Sequence, residues 1–131
     1  TRNILNAQQA VNYLRSKFPN VEFETKQIID VKDMSGYSIL VNATPIGMRG
    51  YSMDQSPVEY ETMKTLDETT IVYDIVYNPI ETKFLQYAKQ CNLKVVEGLD
   101  MLIYQAEGAI KIWTGKTPDI QTMKIAALRA L

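Results

Sequence analysis

VVEGLDMLIYQ, at residues 95–105, is the stretch of this sequence that decides its fold. Val95 and Val96 are β-branched and apolar, as a buried strand requires. Gly98 then interrupts the strand and allows the backbone to approach a neighbour or a ligand closely. After this glycine the apolar residues recur at steps of about three or four, which predicts a helix whose apolar face extends to Trp113. The stretch therefore predicts a strand followed directly by a helix.

Gln105 lies between the apolar and the solvated faces of this predicted helix. Its amide can donate and accept hydrogen bonds at once, so it could hold a ligand hydroxyl beside the carboxyl end of a strand. The alternative is a structural glutamine that is hydrogen-bonded to a loop. The residues of the helix alone leave both interpretations open.

Strand patterns also precede this stretch. Residues 37–44 and 70–77 are predicted to be strands with apolar centres, and residues 21–24 alternate like a short, half-buried strand. A helical turn is predicted between residues 24 and 37, and helices are predicted before residue 21 and after residue 77. Strands that alternate with helices indicate an α/β protein with a parallel sheet and helices on its faces.

Capping residues mark where the predicted helices begin and end. Asn3 is the predicted N-cap of a first helix, and Asp30 is predicted to cap one helical turn that extends to Met34. Thr82 is the predicted N-cap of a helix that ends with Asn92 in the left-handed conformation. A further helix is predicted near the C-terminus, with an apolar stripe made by Ile120, Met123, Ala127 and Leu128.

The predicted strands place three residues at corresponding positions. Thr44, Tyr77 and Gly98 each lie at the carboxyl end of a strand, and ligands of parallel sheets bind beyond these ends. Residues 45–67 are predicted to form a long loop, and loops of this length are often functional. We therefore expect a common cleft at these strand ends, overlooked by Gln105.

Composition argues against several classes of function. The 131 residues suffice for one domain, and a formal charge of −1 provides no basic surface for nucleic acid. The sequence has no histidine, and Cys91 is its single cysteine, so a zinc site is not expected and a reducing cytoplasm fits best. No apolar run approaches the roughly 18 residues of a membrane span.

Three motifs, in order, resemble those of shikimate dehydrogenases. They are NATPIGM at residues 42–48, YDIVYNP at residues 73–79 with Thr82, and EGLDML at residues 97–102 with Gln105. The resemblance covers essentially the whole chain and corresponds to the cofactor-side, C-terminal part of that enzyme. It implies a Rossmann-like parallel sheet with flanking helices, truncated at the N-terminal side, where the first strands and the glycine-rich loop are absent. Residues 1–131 are then expected to be a single partial NADP-binding domain with C-terminal helices, without the N-terminal substrate domain.

The resemblance also implies an activity and a set of binding residues. Shikimate dehydrogenases reduce 3-dehydroshikimate to shikimate with NADPH, in the biosynthesis of aromatic amino acids. Thr44, Ile75 and Gly98 match residues that border the cofactor. Tyr77 and Gln105 match residues that contact the substrate. A phenol and an amide suit a polyhydroxylated acid, since together they offer donors and acceptors.

Arg2 is a further candidate for cofactor binding. Thr1-Arg2-Asn3 resembles the family's Asn-Arg-Thr segment, whose arginine receives the adenosine 2′-phosphate, and this predicts NADP rather than NAD. Asn6 departs from the family, which often has a second basic residue at this position. The alternative for Arg2 is an exposed arginine at the chain terminus.

The resemblance assigns no catalytic residue to this chain. The family's catalytic lysine and aspartate belong to the N-terminal substrate domain, and nothing in the sequence places Lys83 or Asp74 in those roles. Residues 1–131 alone are therefore predicted to be inactive, and NADP-dependent oxidation of shikimate by them would contradict this. An unpaired strand edge is also expected, which either re-pairing within the chain or a second copy in a homodimer would cover. The missing N-terminal domain of the same protein is a further expected partner. The alternatives are a quinate or quinate/shikimate dehydrogenase and a non-catalytic metabolite-sensing module on the same fold.

Overall fold

A computed structural model of the chain describes residues 3–131. Their order is α1 (Ile4–Lys17), a 3₁₀ turn (Ile28–Asp30), β1 (Ile39–Asn42), α2 (Tyr60–Met63), β2 (Ile71–Asp74), α3 (Lys83–Gln90), β3 (Lys94–Val96), α4 (Gly98–Thr114) and α5 (Ile120–Ala130). The strands form one parallel sheet in the order β1-β2-β3. The predicted α/β class, with a parallel sheet and flanking helices, is confirmed.

One face of the sheet is packed against α3, and α2 contacts α3. Val72 of β2 is fully buried there with Phe84 and Leu85 of α3. Alternate residues of a strand point to the same face, so Asp74 lies on this face as well. The buried members of this core are Met34, Val58, Met63, Leu66, Val72, Phe84, Leu85, Ala88 and Leu93. Asn42 and Asp74 are paired in the register at the carboxyl end of this face, where they are also buried. The core therefore ends in a polar cross-strand pair.

The opposite face of the sheet is much more exposed. Ile39 and Val41 of β1 are 58% and 47% exposed, and Val96 of β3 is 40% exposed. Among residues 3–131, no strand pairs with the outer edge of β1. An edge of this kind offers unpaired backbone groups to another strand.

The predicted strand at residues 21–24 is wrong, because this segment has no partner strand within residues 3–131. A groove of about 1050 Å³ lies between the segment and β1 and is lined by Val21, Phe23 and Ile39 among others. The Phe23 carbonyl instead accepts a hydrogen bond from the Arg15 side chain of α1. Alternation of apolar and polar residues favours a strand only where a second strand supplies the ladder.

Three other sequence predictions need correction. The helical turn lies at Ile28–Asp30, so Asp30 ends it, and the Met34 N–H is bonded to Thr65 Oγ1 instead of continuing a helix. The predicted loop at residues 45–67 contains the short helix α2, whose Met63 is fully buried. Trp113, placed by its periodicity on the apolar face of α4, is 79% exposed.

The other predicted caps, at Asn3, Thr82 and Asn92, agree with the structure. Asn3 and Thr82 accept hydrogen bonds from the N–H groups of Asn6 and Leu85, three residues further along each helix. Asn92 has a φ of +58°, the left-handed conformation expected after a helix. These local signals therefore fixed both ends of the helix between β2 and β3.

Candidate functional site

A cleft of about 590 Å³ lies beyond the carboxyl ends of β1 and β2. This volume lies within the usual range for small-molecule sites, about 300–1000 Å³. The loop after β1, the backbone after β2 and one side of α4 form its walls. The lining residues are Ala43, Thr44, Pro45, Met48, Arg49, Ile75, Val76, Tyr77, Asn78, Met101, Leu102 and Gln105.

Four of the sequence-predicted site residues line this cleft: Thr44, Ile75, Tyr77 and Gln105. Thr44 and Ile75 are half-buried, whereas Tyr77 is 41% exposed and Gln105 is also exposed. The strands end earlier than predicted, so Thr44 and Tyr77 lie in the loops that follow them. The common cleft expected from the sequence therefore exists, while the ligand contacts of these side chains remain predictions.

The two remaining candidates are placed differently. Gly98 is buried at the start of α4 and lies against the backbone that follows β2. Arg2 lies outside the described residues, so its predicted contact with the 2′-phosphate is not tested.

Asn42 organises the loop that carries Thr44. Its side-chain oxygen accepts hydrogen bonds from the Thr44 N–H at 3.1 Å and from the Thr44 hydroxyl at 2.7 Å. Its Nδ2 donates to the Ile46 carbonyl at 3.1 Å. The last residue of β1 thus fixes the first turn of the cleft wall, in the manner of an Asx turn.

Asp74 holds together the other side of the cleft. Its carboxylate accepts hydrogen bonds from Asn42 Nδ2 at 3.0 Å, from the Val76 N–H at 3.0 Å and from the Thr82 hydroxyl at 2.6 Å. Burial raises the pKa of the Asp74 carboxyl above its ordinary value, and these three hydrogen bonds act in the opposite direction. Asp74 therefore ties the ends of β1 and β2 to the start of α3.

Gly98 allows α4 to begin directly beside this strand end. A Cβ at this position would lie 2.5 Å from the Val76 carbonyl oxygen and 2.6 Å from the Ile75 carbonyl oxygen. Such distances are shorter than any van der Waals contact, so only glycine fits. The predicted close approach is therefore made to a neighbouring strand end, which lines the cleft.

Arg49 and Asn78 were not identified from the sequence. The backbone N–H of Arg49 donates to the backbone carbonyl of Asn78 at 2.8 Å. This bond joins the loop after β1 to the loop after β2 and closes the cleft wall between them. Arg49 carries the one charged side chain among the described lining residues. No local pattern identifies it, because its place depends on how the two loops meet.

Met101 and Leu102, by contrast, could have been found from the sequence. Met101 precedes Gln105 by one helical turn, so both side chains lie on the same stripe of α4. The buried pair Asn42 and Asp74 also had a signal, since each polar residue follows an apolar strand segment.

Two further findings bear on the kind of site. Within residues 3–131, no group of three or more His, Cys, Asp or Glu side chains is arranged to hold a metal ion. No helix in the same range has the length and hydropathy needed to cross a membrane.

The fold and the cleft define a class of protein. A parallel α/β sheet with its ligand cleft beyond the carboxyl ends of the strands is the arrangement of dinucleotide-binding domains. The family model of the shikimate 5′-dehydrogenase C-terminal domain matches residues 98–128, which include α4 and most of α5.

Comparison with known proteins identifies the family. The shikimate dehydrogenase (NADP(+)) of Methanocaldococcus jannaschii is 42% identical over 123 residues, which cover 93% of this chain and 41% of that protein. A crystal structure of a shikimate dehydrogenase in complex with NADP+ superimposes with a TM-score of 0.85 at 36% identity, covering 98% of this chain and 44% of the other. Quinate dehydrogenase from Corynebacterium glutamicum in complex with NAD gives a TM-score of 0.80 at 26% identity, covering 97% and 44%.

The chain belongs to the shikimate dehydrogenase family and corresponds to the C-terminal part of its members. It spans about two fifths of the length of the curated relatives it matches, 41% in the Methanocaldococcus jannaschii enzyme.

Proposed function

We propose that this chain forms the cofactor-binding part of an NADP-dependent oxidoreductase that interconverts 3-dehydroshikimate and shikimate. The observation that carries the proposal is the arrangement of Thr44, Ile75, Tyr77 and Gln105 around one cleft at the ends of parallel strands. The similarity to enzymes named shikimate dehydrogenase (NADP(+)) supports the same assignment.

The described residues fit a nicotinamide cofactor. Ile75 offers a half-buried apolar wall, which suits a flat ring that must present one face. Gly98 leaves no side chain between α4 and the backbone of Ile75, so that wall stays in place. When bound, NADP supplies and accepts the hydride. The residues of this chain hold and orient the ring, and the Arg49 side chain can attract an anionic group of a ligand.

Tyr77 and Gln105 are proposed to bind the substrate. Both are exposed at the cleft, where their phenol and amide groups can exchange water for the hydroxyl groups of a sugar-like acid. A site built to hydrogen-bond such hydroxyls discriminates strongly against analogues that lack them.

Replacement of Gln105 by alanine is expected to weaken shikimate binding and leave NADP+ binding nearly unchanged. The loss of one hydrogen bond costs about 0.5–1.5 kcal/mol, or roughly a two- to tenfold increase in the dissociation constant. Calorimetric titration of the native protein with each ligand measures both effects. Gln90→Ala, the same change at an exposed position of α3 outside the cleft, is the control and is expected to alter neither. Equal weakening of both ligands by Gln105→Ala would assign Gln105 a structural role.

Quinate is the second candidate substrate. The structural similarity to a quinate dehydrogenase, at 26% identity, favours this possibility. The ratio of kcat/KM for shikimate and quinate, measured on the full-length protein with NADP+ and with NAD+, decides between them. A ratio in favour of shikimate with NADP+ supports the proposal, and the opposite ratio would replace it by a quinate dehydrogenase. Activity with neither substrate, despite tight nucleotide binding, would favour a metabolite-sensing module.

The proposed partner of the exposed sheet edge is further polypeptide, from the N-terminal domain of the same protein or from a second copy. The exposure of Ile39 and Val41 and the groove beside β1 support this. The proposed location is the cytoplasm, which suits the single free cysteine, Cys91.

A further inference from the structure

The Thr44 hydroxyl already has two hydrogen-bond partners within the protein. Its oxygen lies 2.7 Å from Asn42 Oδ1, and the Ile46 N–H donates to it at 3.2 Å. A hydroxyl group has one hydrogen and two lone pairs. The hydrogen must be directed to Asn42, because a carbonyl oxygen cannot donate, and Ile46 occupies one lone pair. One lone pair therefore remains for a ligand in the cleft that Thr44 lines.

The orientation of the Asn42 amide is determined by its other partners. Its nitrogen lies 3.1 Å from the Ile46 carbonyl oxygen and 3.0 Å from Asp74 Oδ1. Both partners are acceptors, so the nitrogen must face them and the amide oxygen must face Thr44. Asn42 is only 3% exposed, so water does not compete for these bonds.

The Asp74 carboxylate completes this chain of donors and acceptors. The Val76 N–H and the Thr82 hydroxyl also donate to it, and the Leu85 N–H donates to the Thr82 oxygen. The Thr82 hydrogen is thus directed to Asp74, which accepts throughout. The direction of every hydrogen bond from α3 to Thr44 follows from this arrangement.

We propose that Asn42 is a positioning residue that makes Thr44 an acceptor-only subsite, and that this subsite selects an O–H or N–H donor of the ligand over a phosphate or carboxylate oxygen. The inference rests on the proposed function, since the ligand concerned is a dinucleotide. NADP+ carries donors in its carboxamide and ribose hydroxyls and acceptors in its phosphates. The apolar wall at Ile75 lies in the same cleft and suits the flat face of the nicotinamide ring. The donor therefore belongs to the nicotinamide riboside.

A thermodynamic cycle between protein and ligand tests this assignment. The dissociation constants of four ligands are measured for the native protein and for Thr44→Val. The ligands are NADP+, its acetylpyridine analogue, and the two analogues that lack the 2′- or the 3′-hydroxyl of the nicotinamide ribose. In the acetylpyridine analogue a methyl group replaces the amide nitrogen. Thr44→Val is expected to weaken NADP+ binding by about two- to tenfold. For one of the three analogues Thr44→Val is expected to have no effect, because that analogue lacks the group that donates to the Thr44 oxygen. Thr44→Ser, which retains the hydroxyl, is expected to bind all four ligands like the native protein.

The role of Asn42 is tested by the ratio of two affinities, one for NADP+ and one for the analogue that lacks the donor. Asn42→Ala frees the Thr44 hydrogen. The ratio of the dissociation constants for NADP+ and for the analogue that lacks the donor is therefore expected to approach one. A purely structural role for Asn42 would lower both affinities by the same factor and leave this ratio unchanged. If Asn42→Ala does not fold, the same ratio is measured for Asn42→Ser, whose hydroxyl can both donate and accept and so does not fix the direction of the Thr44 hydrogen. A ratio unchanged from that of the native protein would overturn the role given to Asn42.

The outcomes separate this inference from the proposed function. Absence of binding of NADP+ and NAD+ to the native protein would overturn the proposed function. Tight NADP+ binding that Thr44→Val either leaves unchanged or weakens equally for all four ligands would overturn the subsite alone.

Discussion

Replacement of Gly98 by alanine is expected to destabilise the protein by about 1–3 kcal/mol, the usual cost of an overpacked core, and to lie at the upper end of that range. The added Cβ would lie 2.5 Å from the Val76 carbonyl oxygen and 2.6 Å from the Ile75 carbonyl oxygen. Neither oxygen can move as a side chain would, because both belong to the backbone that follows β2. α4 must therefore shift away from the strand end, and NADP+ binding is expected to weaken together with stability.

Gly108 supplies a matched control within the same helix. A Cβ there would have no atom within 4 Å, so Gly108→Ala meets no obstacle. Alanine is favoured over glycine in a helix by about 0.5–1 kcal/mol, and this variant is therefore expected to be more stable than the native protein. Urea denaturation of both variants measures the two effects. Equal changes of the same sign would show that the contact between α4 and the strand end is not as described.

Replacement of Asp74 by leucine is expected to destabilise the protein by about 3 kcal/mol or more, since each buried donor left unsatisfied costs about 1–3 kcal/mol. The change removes the acceptor of three groups, the Asn42 amide, the Val76 N–H and the Thr82 hydroxyl. Asn42 retains its bond to the Ile46 carbonyl, while the Val76 N–H and the Thr82 hydroxyl lose their acceptor among residues 3–131. The loops that line the cleft are expected to lose their fixed arrangement before the helices unfold.

Asp54→Leu is the control for this substitution. Asp54 is exposed, so the same change is expected to alter the free energy of unfolding by no more than about 0.5 kcal/mol. Thermal unfolding monitored by circular dichroism compares the two variants. A native-like melting temperature for Asp74→Leu would contradict the role given to this buried network.

The features predicted correctly from the sequence are those that depend on local contacts. The change of period at Gly98 marks the boundary between β3 and α4, and the caps at Asn3 and Thr82 are made by residues within three positions of each other. The side chains that line the cleft follow from a general property of parallel sheets, since Thr44 and Tyr77 come after neighbouring strands.

The features that were missed depend on contacts between distant parts of the chain. Residues 21–24 have the alternation of a strand, but the structure gives them no partner strand. The network between Asn42 and Asp74 joins residues that are 32 positions apart, and Arg49 reaches the cleft through a backbone bond to Asn78. Asn42 and Asp74 each follow an apolar strand segment, but neither their contact nor the position of Arg49 can be predicted from a single segment of sequence.

A crystal structure of the native protein with NADP+ tests the central claim most directly. The nicotinamide is predicted to lie against Ile75, with Thr44 accepting a hydrogen bond from the nicotinamide riboside and Tyr77 and Gln105 left free for the substrate. Electron density for the nicotinamide away from this cleft, for example in the larger groove beside β1, would contradict the account.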